Sequence, residues 1–232
     1  MIYLSSRPGR ADVVTGTRRR GNPLAAPVTV DVGALLRRPD IGVMLTPASK
    51  GDVLGAARRS SWWAADTGCF TRPEAYSDVG YLSWLEVLAP ARATCLFATA
   101  PDVVGDWQAT WQRAAPVLPA IRGLGFLASV VAQDGMVMLP PLEMWDVLFV
   151  GGTTRWKLSE SGGYRMARMA LEQGKRLHLG RVNSWVRIRA AAQAGYHSSD
   201  GSALSYNPPM MAAEIVGWLD RLQRQPHLAL WD

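Results

Sequence analysis

Short apolar runs that each end in a polar or glycine-rich tip recur along this chain, and helical segments separate them. The run at 62–65 ends in Asp66-Thr67-Gly68, the run at 96–100 in Pro101-Asp102, the run at 129–132 in Gln133-Asp134-Gly135, and the run at 147–150 in Gly151-Gly152. Strands that alternate with helices favour parallel β-structure. In a barrel of that type, the loops after the strands build the active site. The pattern predicts an α/β fold whose functional groups lie at one end of the strands.

The predicted elements are numerous enough for a closed barrel. The predicted strands are Ile41–Thr46, Trp62–Ala65, Ala93–Ala98, Phe126–Ala132, Val147–Val150, Leu177–Leu179 and a short run before Asp200. Helical spacing of apolar residues covers Val79–Leu88, Trp107–Ile121, Gly163–Gln173, Ser184–Ala194 and Ala212–Leu222. Seven strands, with an eighth that the pattern does not locate, predict a TIM-like (β/α)8 barrel that tolerates one irregular strand. At 232 residues we expect one domain, 1–232.

Residues 1–40 differ from the rest of the chain. A basic, turn-rich loop at 16–23 (Gly-Thr-Arg-Arg-Arg-Gly-Asn-Pro) lies between two β-like runs, Asp12–Thr15 and Pro27–Val32. This arrangement predicts an N-terminal β-hairpin that caps the barrel. The basic loop has two interpretations, a solvated arm or a segment that contacts phosphate.

The charge of the chain points toward an anionic partner. The formal net charge is +6 and the isoelectric point is near 9.7, and Arg, which favours bidentate phosphate contacts, supplies most of the positive charge. High genomic GC content, which encodes Arg in place of Lys, is the alternative explanation. Cys69 and Cys95 are too few for a disulfide framework. Neither a signal peptide nor a run of about 20 apolar residues is evident, so we expect a cytoplasmic protein without membrane contact.

Six motifs occur in a particular order along the chain. They are Asp66-Thr67-Gly68 followed by Cys and Phe, then Asp102, Gln133, Gly151-Gly152, His178-Leu179-Gly180 and the segment from Gly195 to Asp200. Together they resemble the tRNA-guanine transglycosylase superfamily, over roughly Ile41 to Leu204. In that superfamily the motifs lie on successive strands of a TIM barrel, so the resemblance implies the same fold.

The resemblance also implies a catalytic role for each motif. Asp200 would be the nucleophile that attacks the anomeric carbon, and Asp66 would be the general acid and base. A carboxylate suits the attack because it can form a covalent glycosyl-enzyme and later leave. Asp102 would bind the N1–H and amino edge of a guanine-like base, with Gln133 and Gly151-Gly152 completing the pocket.

The chain departs from the tRNA-directed members of the superfamily. They carry a zinc site of closely spaced cysteines after the nucleophile, whereas Cys69 and Cys95 both precede Asp200, so we expect neither metal nor cofactor. With its segments Gly151–Lys157 and Gly180–Ser184, the chain resembles the zinc-less DNA-directed branch of bacteriophages and bacteria. That branch exchanges guanine in DNA for a 7-deazaguanine base such as 7-cyano-7-deazaguanine, which implies DNA protected from restriction. The implied partners are DNA and the free base, in the host cytoplasm if a phage encodes the chain.

Five residues in these segments are expected to contact nucleic acid: Arg155, Lys157, Arg181, Asn183 and Ser184. The basic side chains would meet phosphates. Asn183 and Ser184 can open a helix whose free N–H groups attract anions. Structural salt bridges are the alternative interpretation of the arginines.

Several of these assignments have competitors. Asp106 competes with Asp102 and Asp134 with Gln133, a lone Asp at a strand end is often a helix N-cap, and His178 has the pattern of a packed barrel residue. Two other functions stay open: a tRNA-guanine transglycosylase of the queuosine or archaeosine type, and a non-catalytic barrel that binds nucleic acid or a deazapurine. A homo-oligomer is also left open.

Overall fold

A computed structural model describes residues 1–5, 13–17, 27–69, 73–202, 204 and 208–224. Its strands are β1 (Ile2–Ser5), β2 (Val13–Thr17), β3 (Pro27–Asp31), β4 (Ile41–Leu45), β5 (Trp62–Ala65), β6 (Cys95–Thr99), β7 (Ala128–Ala132), β8 (Val147–Val150), β9 (Arg176–Leu179) and β10 (Ser198–Gly201). Eight of them close into a barrel in the order β1-β10-β9-β8-β7-β6-β5-β4, and every neighbouring pair is parallel. The protein is a TIM barrel, as predicted. The eighth strand, which the sequence pattern did not locate, is β1.

The helices are α1 (Val32–Leu36), α2 (Val53–Arg59), α3 (Asp78–Leu88), α4 (Trp107–Ala114), α5 (Leu118–Gly123), α6 (Thr154–Lys157), α7 (Gly163–Glu172), α8 (Trp185–Gln193) and α9 (Pro208–Arg224). The single helix predicted over Trp107–Ile121 is wrong, because the chain forms α4 and α5 with a break at 115–117. Pro116 cannot donate a helical hydrogen bond, and Pro119 suits the first turn of a new helix. After β7 no α-helix forms, and the connection to β8 contains one 3-10 turn, Leu142–Met144.

Two apolar clusters separate the inside of the barrel from its outside. Successive side chains of a strand point to opposite faces. The interior cluster consists of five residues from five strands: Leu4, Met44, Ala64, Phe97 and Val147. The larger cluster lies between the strands and the helices and includes Trp63, Leu85 and Leu118, all fully buried. This alternation determines which strand residues can face the mouth of the barrel.

The predicted N-terminal hairpin is present. Strands β2 and β3 pair antiparallel from Val13 opposite Asp31 to Thr17 opposite Pro27, so Gly16 and Thr17 belong to a strand and not to the loop. The hairpin is inserted after the C-terminal end of β1, and α9 lies beside both of its strands. It therefore begins at the same rim of the barrel as the other loops that follow strands. The arginines at 18–20 lie outside the described residues.

Candidate active site

The ends of six strands bring the residues singled out in the sequence to one rim of the barrel. Asp66 follows β5, Asp102 follows β6, Gln133 follows β7, Gly151 and Gly152 follow β8, Gly180 and Arg181 follow β9, and Asp200 lies within β10. All eight strands are parallel, so their C-terminal ends meet at this rim. The negative charges of Asp102 and Asp200 act on Asp66, which places the three carboxylates within electrostatic reach of one another.

The two carboxylate oxygens of Asp200 have different surroundings. Its Oδ1 lies 3.1 Å from Nε2 of His178 and accepts the Arg181 N–H at 3.2 Å. Among the described residues, no donor reaches Oδ2. Arg181 has φ of 60°, in the left-handed region that residues other than glycine rarely occupy. We interpret this turn as the feature that directs the Arg181 N–H toward the carboxylate.

His178 lies inside the barrel beneath Asp200. It is fully buried, with ring centroids 4.8 Å from Phe97 and 4.4 Å from Phe149. Its Nδ1 lies 2.8 Å from the Ser198 hydroxyl, so both ring nitrogens have polar partners. The expectation of a packed barrel residue is confirmed. The contact with Asp200 was missed, because it depends on the register that places β9 beside β10.

Asp66 is held by hydrogen bonds from its own turn. Its Oδ1 accepts the Gly68 N–H at 2.7 Å, in a turn where Gly68 has φ of 70°. Burial, together with the charges of Asp102 and Asp200, raises the pKa of Asp66 to about 6 against the hydrogen bonds that lower it. A carboxyl group with a pKa near 6 can give and take a proton close to neutral pH.

Asp102 is held by two neighbouring side chains. Its Oδ2 accepts the side-chain amide of Gln133 at 2.6 Å, and its Oδ1 accepts the Cys69 thiol at 3.3 Å. Burial raises its pKa, although these hydrogen bonds oppose the effect. Asp106 instead caps α4 by accepting the Ala109 N–H at 3.0 Å. The geometry therefore favours Asp102 over its competitor.

Gln133 and Asp134 form hydrogen bonds with different parts of the rim. The Gln133 amide donates to Asp102, and its carbonyl oxygen accepts the Gly105 N–H at 2.9 Å. Gln133 thus supports Asp102, and both ends of its side chain are already engaged. Asp134 accepts the backbone N–H and the hydroxyl of Thr153 at 2.7 and 2.6 Å, which joins the loops after β7 and β8.

The two glycines after β8 are required by the packing of the protein itself. A Cβ at Gly151 would lie 2.7 Å from the side chain of Val131. Gly152 has φ of 71°, and a Cβ there would lie 2.6 Å from the Asp134 carboxylate. Both residues are buried, so we ascribe the glycine pair to a tight turn and close packing.

The structure corrects the prediction for Lys157. This side chain was expected to be exposed and to contact phosphate, but it is 1% exposed and its Nζ donates to the Gly180 carbonyl at 2.5 Å. Burial lowers its pKa to about 8, and the charges of Arg181 and Arg187 act in the same direction while Asp200 opposes them. The ammonium group therefore belongs to the interior of the rim, near Asp200. No signal in the sequence distinguishes it, because α6 has four residues and no measurable periodicity.

The other four residues expected to contact nucleic acid lie in different environments. Arg155 is exposed on α6. The Arg181 guanidinium donates to the Gly152 carbonyl. That partner is a backbone carbonyl and not the carboxylate of a salt bridge. Ser184 caps α8 through the Arg187 N–H at 3.4 Å, so the expected helix start is confirmed. The side-chain amide of Asn183 lies 3.5 Å from the Ser202 hydroxyl. Contact of these residues with nucleic acid stays a prediction.

Comparisons of this chain with known proteins give only distant structural neighbours. No family model and no curated protein matches it. One similar solved structure is tryptophan synthase from M. tuberculosis in its open form, with 15% sequence identity, a TM-score of 0.48, and coverage of 80% of this chain and 81% of that chain. A second is a mutant tryptophan synthase α-subunit from Pyrococcus furiosus, with 10% identity, a TM-score of 0.43, and coverage of 78% of this chain and 96% of that chain. A third is the carboxyl transferase domain of Rhizobium etli pyruvate carboxylase, with 13% identity, a TM-score of 0.38, and coverage of 81% of this chain and 35% of that chain. A barrel of this kind is compatible with an enzyme.

Two further observations describe the part of the chain that the structure covers. No cluster of His, Cys, Asp or Glu within it has the arrangement of a metal site. None of its helices is both long and apolar enough to cross a membrane.

Proposed function

We propose that this protein is a DNA-guanine transglycosylase that exchanges guanine in DNA for a 7-deazaguanine base through a covalent intermediate on Asp200. The observation that carries the proposal is the meeting of three carboxylates, Asp66, Asp102 and Asp200, at one rim in three different environments. Among the residues that the structure describes, one oxygen of Asp200 has no donor; burial raises the pKa of Asp66 to about 6, and Gln133 holds Asp102. These are the three properties that a base exchange needs from its carboxylates.

The first half of the reaction uses Asp200 and Asp66. The Asp200 carboxylate forms a bond to C1′ of the target nucleotide while the glycosidic bond to guanine breaks. The electron pair of that bond leaves with the base, and protonated Asp66 gives its proton to the departing guanine. Asp66 suits this step because burial keeps a proton on it at a higher pH than an exposed aspartate would retain.

The second half reverses these roles. The incoming deazaguanine loses its proton to the Asp66 carboxylate, and its nitrogen forms the new bond to C1′ as the bond to Asp200 breaks. The negative charge returns to the Asp200 carboxylate, where hydrogen bonds from the His178 ring and the Arg181 N–H stabilise it. Two displacements retain the configuration at C1′, as in retaining glycosidases.

Base selection is assigned to Asp102. The Watson–Crick edge of a guanine-like base presents two neighbouring donors, and an ionised carboxylate is a pure acceptor. Gln133 and Cys69 hold the Asp102 side chain in place, and a side chain whose rotamer is fixed by its neighbours loses little entropy when a base binds. Gln133 acts in this scheme through Asp102.

DNA as the polymer is supported by the charge around the rim and by the resemblance to the DNA-directed branch. Arg155, Arg181 and Arg187 lie on the loops and helices that follow β8 and β9, and the whole chain has a net charge of +6. Such a surface attracts a phosphate backbone. C1′ is shielded in a stacked duplex, so the target nucleotide must be flipped out or presented in a single strand.

The test is an exchange assay on matched polymers. The protein is incubated with a DNA oligonucleotide, the RNA of identical sequence and 7-cyano-7-deazaguanine or isotope-labelled guanine, and the nucleosides are then analysed by mass spectrometry. We expect the new base in deoxynucleosides. Incorporation into RNA or into folded tRNA would assign the protein to RNA instead. Binding of DNA without exchange of any base would indicate a non-catalytic barrel.

A further inference from the structure

A line of polar side chains runs through the interior of the barrel and ends at Asp200. The Ser198 hydroxyl lies 2.8 Å from Nδ1 of His178, and Nε2 of the same ring lies 3.1 Å from Oδ1 of Asp200. Ser198 and Asp200 lie two residues apart on β10, so they face the same side, and Ser198 pairs directly with His178 on β9. Phe97 and Phe149 enclose the imidazole from the other strands.

We propose that His178 is a positioning residue that selects which oxygen of Asp200 attacks the nucleotide. His178 and the Arg181 N–H both bind Oδ1, and they thereby leave Oδ2 as the oxygen directed at C1′. A carboxylate held by a single donor could rotate about its Cβ–Cγ bond and exchange its two oxygens. Two donors from different directions, one from the barrel interior and one from the loop after β9, prevent that rotation. The inference rests on the proposed role of Asp200 as nucleophile.

The geometry also specifies which ring nitrogen carries a hydrogen toward Asp200. An ionised Asp200 can only accept, so Nε2 must carry a hydrogen. The Ser198 hydroxyl can then donate to Nδ1, which completes a chain of neutral donors ending on the carboxylate.

His178 keeps its proton through the whole reaction. When Oδ2 bonds to C1′ and the glycosidic bond breaks, Oδ1 becomes the carbonyl oxygen of the ester and continues to accept both hydrogen bonds. When the incoming base breaks the ester bond, the electron pair returns to the carboxylate. The imidazole neither gives nor takes a proton in either step, which separates it from the acid and base role of Asp66.

The experiment compares two substitutions of the same residue. His178→Leu removes the donor but fills the apolar space, whereas His178→Gln retains an N–H near the position of Nε2. We expect kcat for base exchange to fall by about 10- to 100-fold in His178→Leu, the usual range for loss of a hydrogen bond to a charged group. KM for DNA should stay within about twofold, and His178→Gln should recover most of kcat. His197→Asn is the matched control, because His197 precedes β10 at the opposite end of the barrel and its Nδ1 accepts the Leu177 N–H.

The outcomes separate this inference from the proposed function. A wild-type protein that exchanges no base would overturn the function, whereas an active wild type with a fully active His178→Leu variant would overturn the role of His178. Equal loss in the folded Leu and Gln variants would also contradict it, because a donor alone would then be insufficient. If His178→Leu does not fold, nitrogen NMR of the wild-type histidines decides: the Nε2–H tautomer at His178 supports the inference, and an Nδ1–H tautomer overturns it.

Discussion

The two sides of the barrel mouth hold their carboxylates in different ways. On the side of β9 and β10, Asp200 receives two hydrogen bonds on one oxygen and interacts with the nearby ammonium of Lys157. On the side of β5, Asp66 accepts the Gly68 N–H, and the charges acting on it are those of two other carboxylates, Asp102 and Asp200. The Asp200 carboxylate thus lies beside donors and a cation, whereas the Asp66 carboxylate is buried near two other carboxylates.

The contrast shows how one rim can supply two kinds of chemistry. A carboxylate that attacks carbon needs one oxygen held and the other free, and Asp200 has that arrangement within the part of the chain that the structure describes. A group that transfers protons near neutral pH needs a pKa close to neutrality, and burial gives Asp66 such a value. Neighbouring carboxyl groups with different environments are the usual basis for dividing nucleophile from acid and base.

Replacing the nucleophile is the most severe way to test this contrast. Asp200→Asn should lower base exchange by at least about 10³-fold, because an amide oxygen does not form the glycosyl-enzyme. DNA binding should be nearly unchanged, as measured by fluorescence anisotropy. Asp52→Asn is the control, since Asp52 caps α2 at an exposed position and Asn caps helices equally well. A fully active Asp200→Asn enzyme would show that the nucleophile has been misassigned.

Replacing Asp66 should separate activity from stability. Asp66→Asn should reduce exchange by about 10²- to 10⁴-fold, because it removes the proton donor. The same change should stabilise the fold above pH 6. The folded-state pKa is raised from 3.8 to about 6, so burial favours the neutral form and ionisation costs stability as the pH rises through this window. Full ionisation of Asp66 lowers the free energy of unfolding by about 2–3 kcal/mol.

Urea unfolding of wild type and Asp66→Asn at pH 4 and at pH 7 measures this effect. The stability of the variant relative to wild type should increase between the two pH values by about 2 kcal/mol, which is most of the shift converted at about 1.4 kcal/mol per pKa unit. Equal differences at both pH values would mean that Asp66 titrates like an exposed aspartate, and the contrast with Asp200 would then lose its physical basis.

Base recognition should depend on Asp102 and not on its neighbour. Asp102→Ala should weaken use of the deazaguanine by roughly 2–4 kcal/mol, a value typical of losing a buried charged hydrogen-bond partner. Asp106→Ser, which retains a helix cap, should leave the steady-state kinetics for the free base unchanged. If the Asp106 variant loses affinity for the base and the Asp102 variant does not, the pocket has been placed on the wrong carboxylate.

The smallest expected effect distinguishes two cations of the same short helix. Arg155 is exposed and Lys157 is buried against the Gly180 carbonyl. Arg155→Ala should lower the slope of log affinity against log salt by about 0.7–0.9, the contribution of one phosphate, and should weaken all DNA sequences alike. Lys157→Met should leave that slope unchanged. A change in slope for Lys157→Met would return this residue to the nucleic acid surface.

The elements that sequence alone located are those with clear local limits. The strands Trp62–Ala65 and Val147–Val150 have the predicted bounds, because each is an apolar run that a polar or glycine tip ends. Strand β1 was missed because its four residues have no such signature, and it becomes a strand by pairing with β4 and β10. The break between α4 and α5 lies at Pro116, and the spacing of apolar residues does not reveal it.

The rim on which the candidate residues lie could be predicted from the sequence, but their contacts could not. Asp66, Asp102 and Asp200 could be selected from motifs, and the barrel brings them to the same rim. The hydrogen bond between His178 and Asp200 depends on the register between β9 and β10, which no local pattern encodes. The burial of Lys157 likewise depends on the Gly180 carbonyl, 23 residues along the chain. Long-range pairing thus determines the electrostatics of the site.

The central claim is that base exchange passes through a bond between DNA and Asp200, and intact-protein mass spectrometry tests it most directly. Wild-type protein is mixed with a DNA oligonucleotide and a poorly accepted base, denatured, and analysed for a covalent adduct that is then mapped by peptide sequencing. We expect one adduct, on Asp200, that is absent from the Asp200→Asn variant. An adduct on any other residue, or rapid exchange without an adduct in a single turnover, would contradict the mechanism.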